Sequence, residues 1–376
     1  MTKAAPAQQH MHVIDLMRGL AAIIVILWHY QHFFIIEPGG SFAPALRLVQ
    51  PFYGLLWPFY EYGLYAVQFF WLLSGLVFCA VYVPKAVSTF EFVANRFSRL
   101  YPLHFVTLIL VAAMQTMSVA LLGRQQLYLD NDLYHFVLQL FFASNWGLQN
   151  GFSFNGPIWS VSIEVLIYGL FWVTLPFMFR LGIVGPLALA VACYIGAFII
   201  ELPGTSILEC AAYFFAGAAL YLGYRKVQHP LAIAVIGTMF IVMAGFSFAL
   251  LGDHRRELSI PLLIVGLVWL GCACEAANWG QFAGRAKWIG DNTYGSYLWH
   301  IPIQIAVVIA LDWFGVARNI ALNWWFLAIF VVTVNVVARL SFLYIEKPQR
   351  SYWRNALRRL QDRAREWRAH GSLSHF

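Results

Sequence analysis

The chain has 376 residues, 61% of them hydrophobic and only 11% charged, with a formal net charge of +7. Its mean hydropathy is +0.68. A soluble domain carries about 25% charged residues and could not hide this much apolar surface, so a water-soluble fold is excluded and the bilayer is the natural solvent.

Ten apolar runs can reach the roughly 17–25 residues needed to span hydrocarbon. In chain order they are 13–36, 64–83, 101–122, 158–179, 183–200, 206–224, 229–250, 258–275, 294–311 and 322–344. The first is too long for a signal peptide, is interrupted by Arg18 and His29, and has no small-residue cleavage site after it. There is no repeat, low-complexity linker or separate soluble domain. The expected fold is all-α: a polytopic transmembrane helical bundle of about ten spans over residues 1–346, followed by a basic tail, 347–376.

Lysine and arginine give the orientation. With the N-terminus inside, the inner segments and tail hold eighteen of them, and the outer loops hold five: Arg47, Arg124, Arg255, Arg256 and Arg318. This bias places both termini of a multi-pass membrane protein in the cytoplasm. It also accounts for the positive charge, so nucleic acid is not implied. In the tail, Trp353, Leu357, Leu360, Ala364 and Trp367 recur between arginines. That pattern suits an amphipathic helix on an anionic leaflet of membrane lipids, or a solvated tail that only enforces topology. The five cysteines (Cys79, Cys193, Cys210, Cys272 and Cys274) fall in or beside apolar runs. They read as small core residues, and no metal site is expected.

Charge within a bilayer costs about 2.5–3.5 kcal/mol per residue on insertion scales, so intramembrane ionisable groups are the functional clues. Arg18 and His29 are eleven residues apart. At about 100° per residue they share a helix face, about 16 Å apart along the axis. Arg18 fits an interfacial anchor or a binder of an anionic substrate. His29, deeper in, fits a packing histidine or a titratable base. Arg96 and Arg99, at i and i+3 before the third run, suit phosphate or simple positive-inside anchoring. Trp159, Ser160 and Glu164 open the fourth run. The Glu164 carboxylate lies at about the depth of His29, where it can orient an imidazole or pair with a structural partner such as a tyrosine hydroxyl. Ser74-Gly75 suits close helix approach. Tyr297 and His300 stand in the ninth run, where His300 can bind a ligand or lock a helix weakened by Pro302. Glu346 reads as half of a structural ion pair. His10, His12 and His32 lie near membrane boundaries and carry no assigned role.

At these residues the chain resembles the acyltransferase-3 family of integral membrane O-acyltransferases. The likeness runs over about 12–350: Arg18 to His29, Phe69 to Gly75, Arg96 to Pro102, Trp159 to Glu164, Tyr297 to His300, and Glu346 to Pro348. Leu76 and His104 depart from the family pattern, and no extracytoplasmic hydrolase-like domain is expected after the last span. The resemblance implies an acyl-coenzyme A donor, acetyl-CoA above all, on the cytoplasmic side, with no tightly bound cofactor. It implies His29 as the essential histidine and Arg18, Arg96 and Arg99 as donor binders.

The expected reaction moves an acyl group to a hydroxyl of a sugar or polysaccharide. His29 is the general base and Glu164 its orienting carboxylate; Ser74, Trp159, Ser160, Tyr297 and His300 are candidate pocket residues. Arg, His and Glu within ten spans also suit a proton-coupled secondary transporter, although internal repeats and paired broken helices are not seen. A non-enzymatic partner of a polysaccharide export complex is a third reading. The sequence leaves the acceptor, the acyl length and the oligomeric state open.

Overall fold

The computed structural model describes residues 10–40, 44–84, 87–149, 151–200, 205–252, 256–353, 355, 356, 359, 360 and 363. Among them no strand occurs. The helices, in chain order, are α1 His12–His29, α2 Pro44–Arg47, α3 Tyr53–Tyr62, α4 Ala66–Tyr82, α5 Thr89–Leu122, α6 Leu133–Leu140, α7 Ile158–Met178 and α8 Val184–Ile199. They continue with α9 Thr205–Val227, α10 Pro230–Leu251, α11 Arg256–Ala276, α12 Gly280–Ala283, α13 Lys287–Asp291, α14 Thr293–Trp313 and α15 Trp324–Ser341. Leu357, Ala364 and Trp367 of the expected tail helix lie outside the described residues.

Nine helical stretches among the described residues are long and apolar enough to cross a membrane. The run at 183–200 forms the sixteen-residue α8, about 24 Å long against a hydrocarbon core of about 30 Å. Other boundaries move for local reasons. The expected start at 101 becomes Thr89, because the Ser88 hydroxyl caps α5 by accepting the Glu91 N–H at 3.2 Å. Arg96 and Arg99 therefore sit inside one continuous helix. At its other end Gly123, at φ +72°, closes α5 in the left-handed conformation.

The chain divides into two compact units. The first comprises Met1–Trp28, Pro58–Val83 and Ile167–Thr293; the second comprises His29–Trp57, Pro84–Leu166 and Tyr294–Phe376.

In the first unit α4 packs along α9, α9 along α8, and α10 along α11. Small residues permit this. A Cβ on Gly75 would overlap the Phe214 carbonyl, and one on Gly217 would overlap that of Leu72, so α4 and α9 meet backbone to backbone. Gly237 and Gly266 play the same part between α10 and α11. The Glu275 carboxylate of α11 accepts the Val13 and Ile14 backbone N–H groups, capping the start of α1 from another helix.

In the second unit Leu108, Val111 and Met114 of α5 pack with Ile301, Ile305 and Ile309 of α14, and Leu127 and Phe154 close the cluster. His104 is fully buried, stacks on Phe142 at 4.2 Å, and donates from Nε2 to the Gln139 carbonyl at 2.8 Å, pinning α6 to α5. The Asp312 carboxylate holds Arg318 at 2.7 Å and Arg124 at 2.8 Å, an ion cluster that ties the end of α14 to the segment after α5. Glu346 pairs with Arg350 at 2.7 Å, as its expected structural role requires.

Candidate active site

The second unit contains eight of the ten residues singled out from the sequence: His29, Arg96, Arg99, Trp159, Ser160, Glu164, Tyr297 and His300. Arg18 and Ser74 belong to the first. There, Arg18 bonds Asp15 at 3.3 Å, one turn earlier on α1, and Ser74 is half-buried on α4.

His29 is the last residue of α1 and only 8% exposed. After it the chain tightens into a 3-10 turn, Tyr30–Phe34. The tighter winding brings the His32 ring to 5.2 Å from that of His29, edge to face. From α14 the His300 ring lies 4.7 Å from His29. One turn further along α14, Gln304 Nε2 donates to the His29 carbonyl at 3.1 Å. α14 thus holds His29 at two points, by ring and by backbone.

Proline placement makes the surrounding polar contacts. Pro302 has no N–H, so it leaves the Leu298 carbonyl of α14 without its helical donor. The fully buried Asn155 supplies one, from Nδ2 at 3.0 Å. Asn155 begins the Asn155-Gly156-Pro157 turn that opens α7. The Ser160 and Tyr297 hydroxyls lie 2.7 Å apart, and both reach the Pro157 carbonyl, at 3.1 and 2.9 Å. Gly156 is required at this turn: a Cβ there would overlap the Tyr128 ring, which packs 5.9 Å from His32. Burial raises the Tyr128 phenol, in the loop beyond α5, above its ordinary range. A ring of side chains therefore runs from Ser160 and Tyr297 through His300 and His29 to His32 and Tyr128.

Glu164 is half-buried and lies in the electrostatic neighbourhood of Tyr297 and Tyr294. Arg99, Arg350 and Glu346 also act on Tyr294, whose hydroxyl donates to the Leu100 carbonyl at 2.7 Å. Arg96 and Arg99 are half-buried on α5, and the half-buried Trp159 ring stands 6.5 Å from Phe152. Among the described residues no cluster of three His, Cys, Asp or Glu side chains is arranged to hold a metal. All five cysteines are free thiols, three of them buried.

Sequence reasoning missed His32, Tyr128, Asn155 and Gln304. Two had a readable signal: His32 is three residues from His29, and Gln304 is four from His300 on one helix face. Tyr128 and Asn155 lie in irregular segments that periodicity cannot place.

Comparison with known proteins matches residues 11–340 to the acyltransferase domain of the acyltransferase-3 type. The chain is 24% identical to the peptidoglycan O-acetyltransferase OatA of Listeria monocytogenes over 92% of its own length and 56% of that protein. It therefore spans little more than half of that relative. It is 29% identical to the exopolysaccharide production protein ExoZ of Rhizobium meliloti, over 65% of this chain and 78% of ExoZ. No solved structure matches. With the family match extending over most of its length, the chain belongs to the acyltransferase-3 family of membrane acyltransferase domains.

Proposed function

We propose that this chain is a multi-pass membrane O-acyltransferase that moves an acyl group, acetyl foremost, from acyl-coenzyme A on the cytoplasmic side to a hydroxyl of a glycan. One observation carries the reading: in a chain of this family, the buried His29 closes α1 ring to ring with His300 and is held through its carbonyl by Gln304. A histidine so placed, buried and shielded from bulk water, suits a general base. The relatives' printed roles, in peptidoglycan O-acetylation and exopolysaccharide production, support a sugar acceptor.

In this reading the Arg96 and Arg99 guanidiniums of α5 bind the donor phosphates by charge-assisted hydrogen bonds, and Arg18 of α1 is a further donor-binding candidate. His29 takes the proton of the acceptor hydroxyl as its oxygen attacks the thioester carbonyl. The carbon–sulfur bond breaks, and the imidazolium returns the proton to the leaving thiolate. Glu164 supplies the negative field that favours the imidazolium. Trp159, Ser160 and Tyr297 line the acceptor side. The charge asymmetry supports cytoplasmic termini, and the bacterial relatives support the cytoplasmic (inner) membrane of a bacterium as the location.

Membranes containing the protein, incubated with labelled acetyl-coenzyme A and a glycan fraction, test this. Label should pass to the glycan, and His29→Ala, at normal abundance, should lower transfer by at least about 100-fold. The double variant Arg96→Gln/Arg99→Gln should raise the donor KM by about tenfold or more. Full transfer by His29→Ala, or an unchanged donor KM in the double variant, refutes the assignment.

A further inference from the structure

His300 is fully buried, and its place beside His29 does more than fill space. Its Nδ1 lies 3.3 Å from the Ser296 carbonyl of the preceding turn. A carbonyl only accepts, so the ring proton sits on Nδ1 and Nε2 carries a bare lone pair. Nε2 is buried and has no hydrogen-bond partner among the described residues. A buried acceptor left unfilled is costly, because it has lost its water and gained no donor. The helix keeps this one, and the neighbouring ring is that of His29.

Resting on His29 as the general base, we infer that His300 is the positioning residue for that base: its Nε2 lone pair accepts the second ring N–H of His29, the one that does not carry the transferred proton, and holds it as His29 becomes an imidazolium. Before reaction the neutral His29 needs one ring nitrogen for the acceptor hydroxyl. When that proton moves onto His29, the acceptor oxygen bonds to the thioester carbon, the carbon–sulfur bond breaks, and the proton passes on to the thiolate. Throughout the step the other His29 N–H needs a neutral acceptor to hold the ring in place. His300 supplies it without gaining or losing a proton of its own. It thereby occupies the place a carboxylate fills in a hydrolytic triad, at lower cost to a buried site because no permanent charge is desolvated.

The Ser296 carbonyl fixes the tautomer, so the free lone pair is on Nε2 rather than Nδ1. Gln304, from the same face of α14, fixes the depth of His29 through its backbone. Among the described residues, His32 from the 3-10 turn packs on His29 and Tyr297 of α14 on His300; Tyr128, from the loop after α5, packs on His32, and Glu164 acts on Tyr297 from α7.

The test compares His300→Gln, whose amide oxygen can replace the lone pair, with His300→Phe, which keeps a flat ring but removes it. Both are assayed in the membrane-bound full chain with labelled acetyl-coenzyme A, once wild-type transfer and its loss in His29→Ala are established. A wild type that transfers no label means the proposed function has failed; this inference fails only if transfer and His29 dependence hold. His300→Phe should lower kcat by about 10–100-fold with the donor KM unchanged, and His300→Gln should recover most of that loss. Equal loss in both variants means a packing role and overturns the inference, as does a His300→Phe protein with wild-type kcat. If His300→Phe does not accumulate, the Gln variant decides against His300→Leu: activity in Gln and none in Leu supports the lone pair, and matching activities refute it.

Discussion

His29 and His32 are three residues apart, on opposite sides of a change from α to 3-10 winding. Helical periodicity places them near one another, but only the tighter turn and α14 bring three imidazoles into one ring of contacts. Single side chains also set the borders of this site. Asp132 caps α6 by accepting the His135 backbone N–H at 2.9 Å and the His135 ring at 2.8 Å. These bonds, the backbone one foremost, hold its carboxyl below the ordinary range. The sign follows: a carboxyl with a depressed folded value stabilises α6 above its unfolded value and loses that contribution as pH falls through the folded one. Amide exchange in residues 133–140 should accelerate as the solution is taken below about pH 4, the ordinary carboxylate range. Asp132→Asn, which caps without titrating, should flatten that dependence. Exchange that speeds up equally in both proteins would remove Asp132 as the cause.

At the scale of elements, helices meet where side chains are missing. Gly75 of α4 lies on the backbone of Phe214, and Gly217 of α9 on that of Leu72. Gly75→Ala should force these helices apart and lower stability by about 1–3 kcal/mol in detergent. Gly245→Ala, in α10 with open space around it, should leave stability level or slightly raise it. Thermal unfolding of the two variants measures the contrast, and similar shifts would show that α4 and α9 do not depend on close approach. Prolines act oppositely, by opening carbonyls. Pro302 releases Leu298, and Asn155 binds it, so a break in one helix becomes the joint that seats the start of α7. The Ser74-Gly75 pair was readable as a close-approach element, whereas the Asn155 joint was not, because its partner is 143 positions away.

For the whole molecule the open quantity is the number of crossings. Nine described stretches are long enough by themselves, and α8 is short, yet α8 packs along α9, which does qualify. We therefore expect α8 to cross as well, its apolar flank lying beside α9 rather than exposed to lipid over its whole circumference. Ten crossings return both ends to one side, in agreement with eighteen inner against five outer basic residues. Reporter fusions at each end, one fluorescent only in the cytoplasm and one enzymatically active only outside, should both read cytoplasmic. An external C-terminal reporter would mean nine crossings and would reverse the sidedness assigned to Arg285 and Lys287, both of which follow α8.

The amino-acid sequence by itself determined the class of solvent, the helical architecture and the short list of ionisable residues worth attention. Each follows from local composition or from spacing along one helix, as with Arg18 and His29 or Arg96 and Arg99. It could not determine which of these residues act on one another. That His300 faces His29, that Gln304 holds the His29 carbonyl, and that Glu164 acts on tyrosines of α14 are contacts between segments more than a hundred residues apart. Packing decides such contacts, and helical periodicity carries no information about the partner across the interface.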